Sequence, residues 1–357
     1  MKAIQHQELV TPALLIRAEA MARNRQRMTQ AMSKFPSVSL RPHMKAHKCG
    51  PLALLQVADG ALGVCAATVD EVYVAASAGV KDILLSNELA TLAAVKRFVK
   101  IAAEFSQAKL RICVDSVGLI RLLKEAGAAA VNVGVLIEVD VGHHRCGCHP
   151  DQVVALAQAI SEAGLSFDGI QCYQGKLQHI RDRDARRDAV MASAVAVAKL
   201  SKQKLLDAGI ECNIVTGGGT GTFTVEAGSG VFTEVQPGSY LFMDVDYGKN
   251  PDTPFESSLF VLATIISIDS TRSWAVIDAG HKAVTMDSGP PAVVGHAETV
   301  QYTSGGDEHG ILSTGNVGDL PVEFEVGKQL WLVPGHCDPT VNLYSTVHVM
   351  TEDGKSE

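Results

Sequence analysis

Eight residues, Arg41 to Lys48, read RPHMKAHK and carry five nitrogenous side chains: Arg41, His43, Lys45, His47 and Lys48. They follow FPSVSL, a short strand-like run. Cations crowded at the end of a buried strand repel one another and are costly to desolvate. Both conditions depress a lysine pKa and make its amine a nucleophile. The plainer alternative is a solvated turn. A second candidate, TGGGTG at Thr216 to Gly221, follows another strand-like run. Bare glycine amides and threonine hydroxyls suit a phosphate there, against a loop that merely needs positive φ. No glycine loop ends in Lys-Ser or Lys-Thr, so a nucleoside triphosphate is not expected. A reactive lysine with a phosphate nest points to pyridoxal phosphate held as a Schiff base, and Lys45, nearest the strand end, is preferred to Lys48. VPGHCDPT sets His336 and Asp338 two residues apart, on one face of a strand with Cys337 pointing away. An imidazole and a carboxylate so placed suit a divalent metal with open water positions, against a turn bounded by prolines. His179, in YQGKLQHI, is a general-base candidate against the commoner structural histidine. GDEHG, Gly306 to Gly310, could lie near the metal or be a polar turn.

These residues need elements to hold them. From Ser39 to Ser239 a short β-branched run, an alanine-rich amphipathic helix and a glycine turn recur. The strand-like runs are SLRPHM, ALGVCA, DILLSN, KLRICVD, NVGVLIEVD, FDGIQCY, CNIVTGG and TEVQPGS. Alternation of strand and helix predicts a parallel sheet, and eight repeats predict an α/β fold of the (β/α)8 TIM-barrel type, with a doubly wound open sheet as the second choice. In such a barrel, chemistry sits at the C-terminal ends of the strands, where the polar groups above fall. After Asn250 the pattern changes to strands without helices: SLFVLATIISID, SWAVIDAG, KQLWLVPGH and TVHVMTED. A second, mostly antiparallel β domain is expected after the GKNPDTPFE link. The expected boundaries are 9–249 for a cofactor-binding barrel and 250–357, to which 1–8 could belong, for a β domain carrying the metal motif.

A net charge of −8 without a basic tail argues against nucleic acid and anionic membranes as partners. The N-terminal stretch lacks the apolar core of a signal peptide, and no apolar run approaches a membrane span. Eight cysteines lie scattered, several inside strand-like runs, which is thiol usage of a reducing, cytoplasmic compartment. Cys146 and Cys148 lack the two-residue gap of a zinc knuckle.

Taken together, RPHMKAHK, VDVGHHRCG, YQGKLQH, TGGGTG, QPGSYLFMDVDYG, VIDAGHK, DEHG and VPGHCDPTVNLY resemble the D-threonine aldolases and 3-hydroxy-D-aspartate aldolases. With the D-serine dehydratases, these are alanine-racemase-like, fold-type III pyridoxal phosphate enzymes. The likeness runs in consistent order from Thr11 to Val349. It implies a barrel followed by a β domain, in a homodimer. It also implies Lys45 as the Schiff-base lysine, Arg145 near the cofactor's phenolic oxygen, and Tyr173 among the cofactor contacts. Gly218, Gly219, Thr220, Gly238, Ser239 and Tyr240 would surround the phosphate. Gln236 stands where alanine racemases carry the arginine that faces the pyridine nitrogen. A neutral amide there does not force one charge state, so a tuned rather than maximal electron sink is expected. His336 and Asp338 would bind the metal. D-serine dehydratases carry a zinc-binding cysteine at the place of Asp338, whereas a carboxylate favours manganese or magnesium, with zinc the softer alternative. Ala67 stands where relatives often have glutamine, and His143, His144 and Lys176 stand where they have small or amide residues.

The implied reaction is retro-aldol cleavage of a small-molecule β-hydroxy-D-α-amino acid, with His179 taking the hydroxyl proton and D-threonine giving glycine and acetaldehyde. One rival is 3-hydroxy-D-aspartate cleavage to glycine and glyoxylate, with His143, His144 or Lys176 meeting the second carboxylate. Another is a dehydratase yielding a 2-oxo acid and ammonia, against which Asp338 speaks. A non-catalytic pyridoxal phosphate carrier is disfavoured by the second domain.

Overall fold

The computed structural model describes residues 4–351 and 355–356. The chain divides into two compact units, one formed by residues 28–238 and the other by 1–27 with 239–357.

The first unit is an eight-stranded parallel barrel. Its strands, numbered one to eight here, are Ser39–Leu40, Val64–Ala66, Asp82–Leu85, Lys109–Val114, Val133–Glu138, Ser166–Gln171, Ile214–Gly217 and Glu234–Val235. Seven lie inside the runs expected of them, and strand six begins one residue before its run, at Ser166. Each pairs in parallel with the next, and the eighth returns to the first through Glu234 beside Ser39 and Val235 beside Leu40. Strands one and two are joined where Leu62 N–H donates to the Leu40 carbonyl at 2.9 Å and Cys65 N–H to that of Pro42 at 2.8 Å. The barrel is therefore closed and has no sheet edge to protect.

Between strands the helices start where the sequence offers caps. Thr68 accepts from the Glu71 amide ahead of Val69–Ala78, and Thr91 from the Ala94 amide ahead of Leu92–Glu104. Between strands six and seven, Arg183–Val190 and Ala196–Asp207 are joined by a π-helical turn, Met191–Val195. Inward-facing Cys65, Leu84, Cys113 and Leu136 form one apolar layer across strands two to five. The remaining barrel core carries an ionic network. Arg41 donates to Glu234 at 2.7 and 2.9 Å and to Asp82 at 2.6 Å, and Arg111 donates to Asp82 at 2.6 Å and Asp168 at 2.8 Å. Arg41 is thus neutralised by carboxylates rather than added to the cations around Lys45.

The second unit centres on the ten-residue strand Leu259–Ile268. Its first half runs antiparallel to both Ala13–Arg17 and Gln329–Val333, and after a bulge between Ile265 and Ser267 its second half pairs with Trp274–Ile277. The hairpin Gln301–Ser304 with Gly310–Ser313 continues the sheet, and His348–Met350 lies parallel to Ala13–Arg17. Asp307, Glu308 and His309 form the tip of that hairpin, where Lys282 pairs with Glu308 at 2.7 Å. GDEHG is a polar turn. No helix among the described residues is long and apolar enough to cross a membrane.

Candidate active site

Barrel strand one ends at Leu40, and Lys45 follows on the short helical turn Met44–Ala46. Met44 and Ala46 are buried, which fixes the turn and leaves Lys45 half-buried, while Lys48 is exposed. The flanking histidines are tied down. His43 Nδ1 accepts from the Lys45 amide at 3.3 Å and Nε2 meets Ser86 Oγ at 3.0 Å. His47 Nδ1 accepts from the Cys49 amide at 3.0 Å, and its Nε2 meets Gln56 Oε1 at 3.2 Å. Burial first, then the charges of Lys45, His47 and Arg145, hold His43 well below the ordinary histidine range. His43 is therefore a neutral ring with a fixed tautomer, its proton on Nε2 toward Ser86. The cation crowding inferred from the sequence is weaker than the formula RPHMKAHK suggests.

The Lys45 turn rests on the Pro237–Gly238 turn after strand eight. The His43 amide donates to the Pro237 carbonyl at 3.2 Å, and a Cβ at Gly238 would lie 2.8 Å from the His43 carbonyl oxygen. Only glycine allows that approach. Within the described residues the amides of Gly218 and Gly238 donate no hydrogen bond, so both are available to an anion. The TGGGTG loop is less bare than expected. The Gly219 amide is taken by Thr222 Oγ1 at 3.2 Å and the Gly221 amide by Gln178 Oε1 at 3.0 Å. Gln178 lies so close that a Cβ on Gly219 would sit 2.6 Å from it. Close packing thus accounts for Gly219, while Gly218 and Gly238 keep the anion-binding reading. Behind Gly218 is Glu226, fully enclosed, with Oε1 accepting from Thr222 at 2.9 Å and Oε2 without a partner. Burial pushes its carboxyl up to about 7.

Strand five ends in Glu138, strand six in Gln171, and Gln236 follows strand eight. Gln171 Nε2 donates to Glu138 Oε2 at 2.7 Å, and Gln236 Nε2 donates to Gln171 Oε1 at 3.1 Å and to Thr216 Oγ1 at 2.9 Å. Glu138 Oε1 lies 3.8 Å from Arg145, whose guanidinium stands 5.5 Å from the centre of the Tyr173 ring. Burial and the neighbouring Glu88 carboxylate raise the Glu138 pKa. His143 packs edge-on to Tyr173 at 6.1 Å, with a buried, unpartnered Nδ1. Burial, then Arg145 and Lys176, lower its pKa. His144 is held by Asp140 at 2.8 Å in the loop between Arg145 and strand five. His179 and Lys176 are exposed on the short turn Lys176–His179 after strand six. At Ala67, the side-chain amide of Asn87 donates to the backbone carbonyl at 3.2 Å.

Sequence reasoning passed over Glu138, Gln171, Gln178 and Glu226. A glutamate and a glutamine ending the otherwise apolar runs NVGVLIEVD and FDGIQCY were the available signal.

In the second unit Ser239 and Tyr240 are buried on the turn Ser239–Leu241, and the Ser239 hydroxyl has no hydrogen-bond partner among the described residues. The metal motif departs from the expected strand. The strand ends at Val333, His336 is the N-cap of the short helix Cys337–Val341, and Asp338 stands in its first turn. Pro334 and Gly335 break the strand before His336 is reached. Cys337 does point inward: it is fully buried and its amide donates to Asp244 at 2.9 Å. His336 Nδ1 bonds Asp287 Oδ2 at 2.6 Å, which leaves Nε2 as the atom available to a metal. Among the described residues no three histidine, cysteine or acidic side chains converge as a ready metal cluster. An imidazole Nε2 and the Asp338 carboxylate are donor types that a divalent metal takes. All eight cysteines are free thiols.

Comparison with known proteins agrees with this architecture. Residues 16–246 match the family model "Alanine racemase, N-terminal domain", and residues 258–350 match "Putative serine dehydratase domain". A D-threonine aldolase from Arthrobacter sp is 41% identical over 97% of this chain and 90% of its own length. A 3-hydroxy-D-aspartate aldolase from Paracoccus denitrificans (strain Pd 1222) is 36% identical over 98% and 90%. The crystal structure of D-threonine aldolase from Filomicrobium marinum superposes with a TM-score of 0.92 at 38% identity, covering 99% of this chain and 95% of that one. This protein belongs to the family of D-threonine aldolases and 3-hydroxy-D-aspartate aldolases, carbon–carbon lyases of the alanine-racemase-like fold.

Proposed function

We propose that the protein cleaves β-hydroxy-D-α-amino acids by a retro-aldol reaction dependent on pyridoxal phosphate and a divalent metal, with D-threonine giving glycine and acetaldehyde. The observation that carries this reading is the lysine-bearing turn Met44–Ala46 seated through His43 against the Pro237–Gly238 turn, whose Gly238 amide donates no hydrogen bond among the described residues. The 41% identity to a D-threonine aldolase supports the choice of substrate. Lys45, Arg145, Tyr173, Gly218, Gly219, Thr220, Gln236, Gly238, Ser239 and Tyr240 would hold the cofactor. His336 and Asp338 would hold manganese or magnesium, the hard carboxylate of Asp338 selecting against softer ions.

When bound, pyridoxal phosphate supplies an electron sink for charge at Cα, and the metal a Lewis acid for the substrate oxygen. The chain's own residues do the rest. Lys45 Nζ would anchor the cofactor. His43 stays neutral at Lys45 and so adds no competing charge. His179 accepts the β-hydroxyl proton on its imidazole. Asp287 orients His336 through Nδ1. The active molecule is a cytoplasmic homodimer on this reading.

A second reading, cleavage of 3-hydroxy-D-aspartate to glycine and glyoxylate, is favoured by one observation. His143 keeps an unpartnered buried nitrogen beside the cations Arg145 and Lys176, where a second carboxylate would be welcome. Product analysis on D-threonine, with manganese and with chelator, tests both. Glycine with acetaldehyde, lost in chelator, is the expected result. Glyoxylate from 3-hydroxy-D-aspartate with silence on D-threonine would replace the first reading by the second. A 2-oxo acid with ammonia would sink both.

A further inference from the structure

The hydrogen bonds that cross the barrel mouth from Glu138 to Gln236 have a direction. A carboxylate oxygen and a backbone carbonyl only accept, whereas an amide side chain has one end that donates and one that accepts. Gln171 meets two such acceptors, Glu138 Oε2 at 2.7 Å and, more weakly, the Ser86 carbonyl at 3.4 Å. Its nitrogen must face them, because the reversed amide would set oxygen against oxygen at both contacts. Its oxygen is thereby turned to Gln236 and demands a donor. Gln236 answers with Nε2, which spends its two hydrogens on Gln171 Oε1 and Thr216 Oγ1. The Thr216 hydroxyl can donate or accept and imposes no direction of its own. What remains of Gln236 is Oε1, which has no partner among the described residues and is not sealed from solvent. Where Glu138 holds a proton, the Ser86 carbonyl, which can only accept, still calls for the Gln171 nitrogen on that side.

We propose that Glu138 is a positioning residue: acting through Gln171, it fixes the Gln236 amide with its carbonyl oxygen toward the ligand, so that the ring nitrogen facing it must carry a proton. This rests on the reading that Gln236 faces the ring of pyridoxal phosphate. A neutral glutamine is indifferent to the charge of the ring only if it is free to turn over. Held from behind by an acceptor, it behaves as an acceptor itself and favours the protonated ring, the stronger electron sink. Glu138 touches neither substrate nor cofactor on this assignment. Its effect is carried by the orientation of two amides.

Two measurements on the cofactor-loaded enzyme test the proposal. The first is neutron diffraction, which sees deuterium directly. The expected map places deuterium from Gln171 Nε2 toward Glu138, from Gln236 Nε2 toward Gln171 and Thr216, and on the cofactor ring nitrogen. The second is nitrogen NMR of ring-labelled pyridoxal phosphate bound to wild-type protein and to Glu138→Gln, whose amide can pair with Gln171 either way round. The ring is expected to be protonated in the wild type, with the protonation equilibrium displaced about tenfold toward the neutral ring in the variant, on the scale of losing one charge-assisted hydrogen bond. A Gln236 nitrogen turned to the ring, an unprotonated wild-type ring, or a variant spectrum identical to wild type would each overturn the proposal. A merely structural Glu138 would lower stability without moving the ring signal. If Glu138→Gln fails to fold, the wild-type map still decides the amide directions. A cofactor found away from Gln236 would overturn the functional reading and the statement about the ring, while the same map would still test the hold of Glu138 on the two amides.

Discussion

Lys45 sits half-buried on a turn whose other side chains are buried, and its histidine neighbours are neutral or tied to Gln56 and Ser86. Lys45→Ala should leave the fold intact and abolish the Schiff-base absorbance of added pyridoxal phosphate. Retained absorbance would hand the role to Lys48 or another amine. Glu226 supports a different residue-scale prediction. Its carboxyl is pushed from the ordinary glutamate value of 4.5 up to about 7 by burial, so the folded protein holds a proton that the unfolded chain releases earlier. The folded state binds more protons across that window, so stability falls as pH rises from 4.5 to 7 and the cost is complete above it. Glu226→Gln keeps the shape and removes the charge. It should stabilise the protein at pH 8 by an amount on the order of 3 kcal/mol and have no effect below the window. Thermal denaturation at the two pH values reads this directly, and an equal effect at both would show that ionisation of Glu226 is not the cause.

At the scale of elements, the barrel depends on charges placed inside it. Arg41 is completely buried between Glu234 and Asp82, and Arg111 carries the network on to Asp168. A buried pair of this kind adds little net stability, yet breaking it strands an uncompensated charge. Glu234→Leu should therefore cost about 3–5 kcal/mol in urea denaturation. A loss below ~1 kcal/mol, the range of exposed pairs, would mean that water reaches Arg41. The eight barrel strands were legible because short apolar runs alternate with amphipathic helices, and the period changes at the junctions. The ionic interior was not. Nothing in RPHMKAHK distinguishes Arg41, turned to carboxylates from strands three and eight, from the lysine four residues on. The strand Ala13–Arg17 escaped for a related reason, since its partner Leu259–Ile268 lies far along the chain and no local signal joins them. His336 and Asp338 were singled out by residue type, but their element was misread, because Pro334 and Gly335 end the strand and begin a helix. The glycines of TGGGTG were read as free amides, whereas Gln178 and Thr222, distant or unremarked in the sequence, occupy two of them.

For the whole molecule, net charge and local charge act on a substrate with opposite sign. The chain carries −8 overall, which repels an anion at long range. Near the loops after strands five and six, burial and then the charges of Arg145 and Lys176 bias His143 toward its neutral form, so two cations act on that ring. At moderate salt the Debye length is about 10 Å, so charges beyond the mouth are largely screened while those within it still act. D-threonine is a zwitterion without net charge, and its kcat/KM should be flat as salt is raised. 3-Hydroxy-D-aspartate carries an extra carboxylate, so its kcat/KM should fall with salt if the local cations capture it. Lys176→Ala should flatten that dependence and leave D-threonine turnover nearly unchanged, since Lys176 is exposed on the turn after strand six. Rising kcat/KM for the dianionic substrate would show that the distant negative field dominates. In that case His143 and Lys176 would not form a carboxylate subsite, and the case for 3-hydroxy-D-aspartate as the preferred substrate would lose its structural support.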